Sequence, residues 1–487
     1  LLKEKLKGEL MIIGVDLGTS NIKAGTIVDG SFYSSKYGYN TYYQGDTVEQ
    51  DPTDYLKGTI YCLKNLLAKI KSQEKPEAIV FSGHSPSLVP VDQQGKALSR
   101  AIIWQDKRAF KEAELINERL GFKINASFNE AKILWLKNNK PDLYNATYKF
   151  LQPKDFIIGC LTNRFLIDGS AASTMATYDR KQQDFALLQS LGLEIRKMPA
   201  LVQSSFVIDG IVSEYADALG IDKGIKIVAG GIDAFCEALG CGVYDEKQMG
   251  EMTGTSTCVF SCSEQAQYAD YEPPYHVIEG KHLNVLPLSC SGGTIEWFIT
   301  RILEKRMAPN ILKEFNDSLL TTPPASNLIF IPYIMGARSP YWDDSAKGCF
   351  IGLNKDDSIR TMYRSVLEGL AFDLRQNIEL LDEKEEISRV YTTGGGSKNE
   401  GWLQIKADVC NRVFCRTKYN DGAILGDVIL GEYSIGKRDI KSSIEQYVIV
   451  EKAFTPRKEY VDKYNETYSI FKNVYNHLKT DFQLLIK

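Results

Sequence analysis

Residues 11–30 read MIIGVDLGTSNIKAGTIVDG. The run 11–16 is apolar and β-branched, Leu17-Gly18-Thr19-Ser20 breaks it, and 22–28 resumes extended character before Asp29-Gly30. Short apolar runs punctuated by glycine and hydroxyl residues predict a series of hairpins rather than a helix. The arrangement returns nearly half the chain later, where Gly250-Glu251-Met252-Thr253-Gly254-Thr255-Ser256-Thr257 leads into the extended Cys258-Val259-Phe260. Two Gly-Thr-Ser turns, each set between strands, suggest two halves built on one plan.

Working outward, helix and strand alternate. Asp51-Pro52 supplies an N-cap and a first-turn proline for a helix whose apolar face is Tyr55, Leu56, Ile60, Leu63, Leu67 and Ile70. A strand over 78–81 follows and stops at Ser82-Gly83. The same order recurs where Tyr363, Val366, Leu367, Leu370, Leu374, Ile378 and Leu381 line a helix that precedes a strand over 388–392 and then Gly394-Gly395-Gly396. Helix, buried strand, glycine turn is the punctuation of an α/β fold. Further helices are expected at 129–138, 234–241, 401–411, 423–436 and 459–480. The 487 residues suit two or three domains, and no low-complexity linker separates the halves, so a compact crossing is expected near 243–249.

Composition narrows the function. Hydrophobic residues at 44% and charged residues at 25% allow a sizeable core and argue against disorder. With 58 Lys+Arg against 62 Asp+Glu the net charge is -4, which offers no field for nonspecific binding to nucleic acid or anionic membrane. The ten cysteines show no CxxC spacing and the four histidines (His84, His276, His282, His477) are scattered, so the thiols read as reduced core residues and not as a disulfide framework or zinc site. The longest apolar run, 328–335, is broken by Pro332 and is far short of the roughly 20 residues that span a bilayer. The first ten residues, LLKEKLKGEL, lack the apolar region of a signal peptide. Met11 therefore reads as the natural start behind an upstream leader, and a cytoplasmic location is expected.

Four places could carry chemistry. A Gly-Thr-Ser turn between strands presents backbone N–H groups and a hydroxyl in a concavity suited to phosphate, although tight hairpins also use glycine and serine for conformation alone. Asp16 before the first turn adds a carboxylate for a hydrated metal, and Lys23 after it adds a cation; Lys23 reads equally as a solvated strand residue. Gly394-Gly395-Gly396-Ser397 puts bare backbone at the carboxyl edge of a sheet, where nucleotides commonly bind, without matching GxGxxG or the Walker pattern. It reads equally as a helix-entry loop. Asp233 follows a strand over 225–229 and Gly230-Gly231, so it either accepts a proton from a substrate hydroxyl or caps the next helix. Trp104-Gln105-Asp106-Lys107-Arg108 offers an aromatic platform and polar groups for a polyhydroxylated ligand, or else a salt-bridge cluster.

Together these segments resemble the FGGY carbohydrate kinases, the sugar-kinase branch of the actin, hexokinase and Hsp70 ATPase superfamily. The resemblance covers roughly 11–433. It is carried by GVDLGTSNIKA from Gly14, VEQDP from Val48, SGHSPSLVPVDQQGKALSRAIIWQDKRA from Ser82, LQPKDF from Leu151, AGGIDAFCEALGCGV from Ala229, and GTS from Gly254. It continues through IPYIMGARSPYWDDSAKGCFIGL from Ile331, SVLEGLAFDLR from Ser365, TTGGGSKNEGWLQIKADVCNR from Thr392 and GAILGDVILG from Gly422, in family order and at family spacing.

The resemblance implies two actin-like (ribonuclease H-like) α/β domains, 11–242 binding sugar and 243–487 binding nucleotide, with both ligands in the cleft between them. It assigns Asp16, Gly18 and Thr19, with Ser20 and Lys23 beside them, to one phosphate loop and Gly254, Thr255 and Ser256 to the other. Gly292 in SGGTIEW and Gly395, Gly396, Ser397 and Asn399 match the nucleotide side. Asp233 takes the position of the general base, Trp104 and Asp106 fall in the sugar segment, and Asp16 with Asp233 would hold Mg2+, through water. Familiar xylulokinases carry Gly-Gln-Met-His-Gly where this chain has Gly83-His84-Ser85-Pro86-Ser87, and Asn where it has Ala234. His84, Ser85 and Pro86 therefore join the expected sugar pocket, and the sugar stays open. The implied reaction transfers the γ-phosphoryl of Mg-ATP to a small sugar, ketose, polyol or sugar acid. A ketopentose such as xylulose leads and gluconate or another polyol follows. The competing class is an actin- or Hsp70-type nucleotide switch, or a degenerate sugar sensor. Expected partners are a sugar and neither nucleic acid nor membrane, with a homodimer left open.

Overall fold

In the computed structural model, which describes residues 11–70, 75–264, 273–288, 290–319, 322–324 and 327–485, the opening stretch forms the expected hairpin. The ten residues read as a leader lie outside the described residues. β1 (Met11–Leu17) and β2 (Asn21–Val28) pair antiparallel with Asp16 opposite Lys23, and β3 (Ser31–Gly38) extends the meander. α1 (Pro52–Lys69) leads to β4 (Pro76–Gly83), which lies parallel to β1. After α2 (Asn129–Asn139) and α3 (Pro153–Thr162), β5 (Val207–Asp209) and β6 (Lys226–Ile232) complete a six-stranded sheet of order β5-β6-β4-β1-β2-β3. α4 (Asp233–Gly240) leaves β6 with no intervening loop.

A second sheet repeats this plan. β7 (Met249–Thr253) and β8 (Thr257–Ser263) form a hairpin with Thr253 opposite Thr257, and β9 (His282–Pro287) lies beside β8. After α5 (Gly292–Trp297) and α6 (Ile359–Leu381), β10 (Arg389–Thr393) runs parallel to β7; after α7 (Glu400–Cys410), β11 (Val413–Thr417) runs parallel to β10. Then come α8 (Gly422–Ser434), the antiparallel edge strand β12 (Val450–Phe454) and α9 (Lys458–Leu484). The order β9-β8-β7-β10-β11-β12 mirrors the first sheet: a hairpin-built edge, two strands added by helical crossovers, and an antiparallel strand on the far side. The difference lies in chain order, since β5 precedes its partner whereas β12 follows its own.

The described chain forms two compact units, one through Gly240 plus Pro274–His282 and Ala423–Tyr447, the other holding the remainder. The single division expected at 242/243 thus differs from the structure, which returns the helix predicted at 423–436 to the first unit. The reason is local. A Cβ on Gly14 would lie 2.7 Å from Asp427 Cβ, so only glycine lets α8 approach β1 this closely, and Ser82 Oγ donates to Asp427 Oδ2 at 2.8 Å. Each unit has its own apolar core. Ile13, Val15, Leu63, Leu66, Phe81, Ile157 and Ile158 contribute to the first, and Val259, Phe298, Phe330, Leu367, Leu370, Trp402 and Phe471 to the second. No helix among the described residues is long and apolar enough to cross a membrane.

The cap of α1 is as expected, with Asp51 accepting from Thr53 N–H at 2.9 Å, but its buried face is rotated. Tyr55, Gly58, Thr59, Cys62, Leu63 and Leu66 are buried, whereas Leu56, Ile60, Leu67 and Ile70 pack only at the margin. Small residues decide the rotation: a Cβ on Gly58 would stand 2.6 Å from the Tyr37 ring, so the helix seats itself on its least bulky stripe. Leu66→Ala should therefore cost about 2–5 kcal/mol in denaturant unfolding, with Leu67→Ala costing less than half as much; equal losses would restore the face read from periodicity.

Candidate active site

The first unit assembles its polar groups at one sheet edge. Leu17 pairs with Gly83, and Gly83 with Ile232, so β1, β4 and β6 end level. The next residues, Gly18, His84 and Asp233, consequently leave the same carboxyl edge, where ligands of open α/β sheets bind. β6 reaches this register through an irregularity between Val228 and Gly231. Gly230 makes it possible: its φ is +65° and a Cβ there would lie 1.8 Å from the Phe81 carbonyl. Lys154 braces the same point. Its buried Nζ pairs with Asp155 Oδ1 at 2.5 Å and Asp168 Oδ2 at 2.8 Å and donates to the Ala229 carbonyl at 3.2 Å.

Asp233 is half-buried at the first position of α4. Among the described residues its carboxylate accepts one hydrogen bond, from the adjacent Ala234 N–H at 2.7 Å. A capping bond would instead come from an N–H two or three residues on. Burial pushes the carboxyl up to about 6, against the smaller opposing effect of the Ala234 bond. At neutral pH the group is ionised yet more basic than an ordinary aspartate, which suits a proton acceptor. The Tyr39 phenol is raised chiefly by burial and then by the charges of Asp16, Asp233 and Asp54.

The 18–19 turn is held from three sides. Tyr39 Oη donates to the Gly18 carbonyl. Gln50, whose Oε1 accepts from Tyr55 Oη at 2.7 Å, donates through Nε2 to the Thr19 carbonyl at 2.7 Å. Trp104 Nε1 donates to Thr19 Oγ1 at 3.0 Å, which joins the expected sugar segment to the first turn. Ser20 is exposed, and Asp16 and Lys23, opposite each other in the hairpin, share a face. His84 Nδ1 contacts Ser87 Oγ at 2.8 Å, while its buried Nε2 and the buried Ser85 Oγ meet no hydrogen-bond partner among the described residues. Burial, with Lys132 adding, brings the imidazole down to about 3, so His84 is neutral at physiological pH. Lys132 Nζ donates to the Pro86 carbonyl at 2.8 Å and so fixes this loop.

Asp106 is held by groups of its own segment and by Val48. Its carboxylate accepts from Val48 N–H at 2.6 Å, Arg108 N–H at 3.0 Å and the Arg108 guanidinium at 2.7 Å, and Arg108 also reaches Glu49 at 2.7 Å. With both oxygens occupied, Asp106 shapes the segment that carries Trp104, which matches the salt-bridge reading. Tyr39, Gln50, Lys132 and Lys154 were not legible as site residues, because each acts over a long sequence separation. Gln50, inside VEQDP, and Lys154, inside LQPKDF, lie in stretches that the motifs singled out, but no local signal marks either as a brace.

In the second unit the 254–256 turn closes with Gly254 N–H donating to the Ser256 carbonyl at 2.8 Å. Ser291, Gly292 and Gly293 N–H groups then dock on it, reaching the carbonyls of Thr255, Gly254 and Thr255 at 2.9, 3.1 and 3.0 Å. A Cβ on Gly292 would stand 2.3 Å from the Gly254 carbonyl, so this residue is glycine for close approach. Thr255 and Gly395 are exposed, and nothing lies within 4 Å of a Cβ built on Gly395. Gly396 packs on Thr253. Ser397 Oγ turns inward to the Gly394 carbonyl at 2.7 Å, and Asn399 caps α7 by accepting from Trp402 N–H at 3.1 Å while donating to Asn316 at 2.8 Å. These two therefore shape the loop, and Gly395 with the 254–256 turn offers the open backbone. Among the described residues no cluster of three or more His, Cys, Asp or Glu could hold a metal alone. Asp16 near the end of β1 and Asp233 directly after β6 lie at the same sheet edge, and a magnesium ion commonly takes one or two carboxylates with several waters.

Two family models match consecutive parts of the chain. The model of the FGGY family of carbohydrate kinases, N-terminal domain, matches residues 11–240, and that of its C-terminal domain matches 252–435. A xylulose kinase of Staphylococcus epidermidis is 28% identical over 493 residues, covering 96% of this chain and 97% of the relative. The crystal structure of ligand-bound xylulose kinase from Lactobacillus acidophilus superposes with a TM-score of 0.88 at 25% identity, covering 98% of this chain and 100% of that one. Gluconate kinase from Lactobacillus acidophilus gives a TM-score of 0.88 at 25% identity, covering 98% and 99%. The close approach at Gly292 provides a local test. Gly292→Ala should weaken nucleotide binding by about tenfold or more in calorimetric titration while sugar affinity stays within twofold; unchanged nucleotide affinity would detach the 291–293 segment from the site.

Proposed function

The chain belongs to the FGGY family of carbohydrate kinases, and from that membership we propose that it phosphorylates a neutral ketopentose such as xylulose, with Asp233 taking the proton from the acceptor hydroxyl. A sugar kinase of this family uses ATP as phosphate donor, which sets aside the actin- and Hsp70-type switch. The observation that carries the proposal is the level ending of β1, β4 and β6, which sets a carboxyl raised to about 6 beside the 18–19 turn and the 84–86 loop.

As the hydroxyl oxygen bonds to the γ-phosphorus and the bridging β–γ P–O bond breaks, the hydroxyl proton passes to Asp233, leaving ADP and a sugar phosphate. Such transfers depend mainly on positioning and charge stabilisation. The braced 18–19 turn and its Thr19 hydroxyl, held by Trp104, serve positioning on the acceptor side. The 254–256 turn and Gly395 serve the phosphates of ATP. Bound by Asp16 and Asp233 beside substrate phosphates, Mg2+ would neutralise phosphate charge, in keeping with its use of one or two carboxylates and several waters.

Two features support a neutral acceptor over a sugar acid. Asp16, Asp54 and Asp233 add negative field at Tyr39, and His84 carries no charge at pH 7, so an aldonate carboxylate near them would meet like charge. The 28% identity to a xylulose kinase over nearly the full length, against 24% to a gluconokinase, points the same way. ADP release coupled to a panel of pentuloses, hexuloses, pentitols and aldonates should give the highest kcat/KM with a ketopentose and a value about tenfold or more lower with gluconate. A preference for gluconate would overturn the substrate assignment, and tight sugar binding without ADP release would indicate a sensor. Asp233→Asn should lower kcat about 100- to 10,000-fold without lowering Tm, because the carboxylate makes one local bond and its burial disfavours the charge. A destabilised but active variant would return Asp233 to a capping role.

A further inference from the structure

We propose that a buried ion pair, Glu251 with Lys406, positions the 254–256 turn for the phosphates of the nucleotide. This rests on reading that turn as a phosphate site. Glu251 on β7 and Lys406 on α7 are 0% and 1% exposed. Lys406 Nζ lies 2.6 Å from Glu251 Oε1 and donates to Thr253 Oγ1 at 3.0 Å, and Thr253 Oγ1 donates to the same Glu251 oxygen. The Thr253 hydroxyl stands 2.9 Å from that of Thr257, and Thr257 Oγ1 donates to Ser291 Oγ at 2.8 Å.

These contacts run in one line through the structure that frames the turn. Thr253 and Thr257 are the opposed residues from which the turn departs. Ser291 opens the segment whose N–H groups dock on it. Lys406 also stands 4.1 Å over the Trp402 ring, and a Cβ on Gly396 would touch both Thr253 and Trp402, so the 394–396 loop sits on the same support. Stability alone does not explain a charged pair here, because well-packed hydrophobic residues of similar volume are often equal or better. What the pair adds is direction. It fixes the Thr253 hydroxyl, and through it both strands of the hairpin, at the foot of a turn whose backbone must meet phosphate oxygens.

The test measures the Kd of Mg2+ with the non-hydrolysable ATP analogue AMP-PNP by calorimetry on the full chain, together with Tm. Three probes are compared: the paired replacement Glu251→Leu with Lys406→Met, which leaves no lone buried charge; Thr253→Val, which removes the hydroxyl at nearly constant shape; and Thr253→Ser, which keeps it. Gly395→Asp, at an open backbone position, independently checks the phosphate reading by adding negative charge. The expected result is a Kd raised about tenfold in the paired variant and in Thr253→Val, with Thr253→Ser within twofold of the parent and Gly395→Asp also weakened. Kd values less than fivefold raised in both the paired variant and Thr253→Val, while Gly395→Asp binds weakly, would overturn the positioning role and leave the phosphate site standing. Unchanged binding by Gly395→Asp would remove the phosphate reading, and the proposal with it. If the paired variant does not fold, the contrast between Thr253→Val and Thr253→Ser decides.

Discussion

The parallel register of Leu17, Gly83 and Ile232 is the constraint on which the proposed acceptor site depends. Side chains alternate along a strand, so a slip of one residue in β6 would turn its buried set outward and carry Asp233 away from the 18–19 turn. The register is not that of an uninterrupted ladder. It requires the irregularity at 229–230, where a left-handed glycine crosses the Phe81 carbonyl and the buried Lys154 ties down Ala229. The chemistry of Asp233 follows from this placement, since a carboxyl set at the end of a buried strand, with one local hydrogen bond, has its charged form disfavoured.

The two sheets share a plan and use it differently. At its carboxyl edge the first unit presents side chains: the Asp233 carboxylate, the neutral imidazole of His84 and the Trp104 indole clamped to Thr19. In the second unit the corresponding turn presents backbone, and the polar side chains nearby face inward to brace it. Directional side-chain groups suit an acceptor that must be told apart from similar sugars, whereas glycine-rich backbone suits a phosphate chain common to every turnover.

Much of this was legible in the sequence. Both hairpins, the alternation of helix and buried strand, and the position of Asp233 at a strand end follow from local patterns of branched residues, glycine and caps. The losses share a physical cause. The face of α1 follows the small residues Gly58 and Thr59, which periodicity of large apolar groups passes over. Asp106 looks like a ligand group until Val48 and Arg108 are seen to occupy it, and Ser397 and Asn399 likewise spend their polar atoms on their own loop. The return of α8 to the first unit turns on a space at Gly14 that opens more than 400 residues earlier in the chain. Tyr39 and Gln50 act across hairpins, where spacing carries no signal.

The claim that the fold itself prepares Asp233 for proton transfer is tested most directly by following its carboxyl carbon in the 13C NMR spectrum of aspartate-labelled protein, assigned by comparison with Asp233→Asn. Burial at the level strand ends predicts a midpoint near pH 6. An ordinary titration near pH 4 would contradict the link between the register of the sheet and the chemistry of the site.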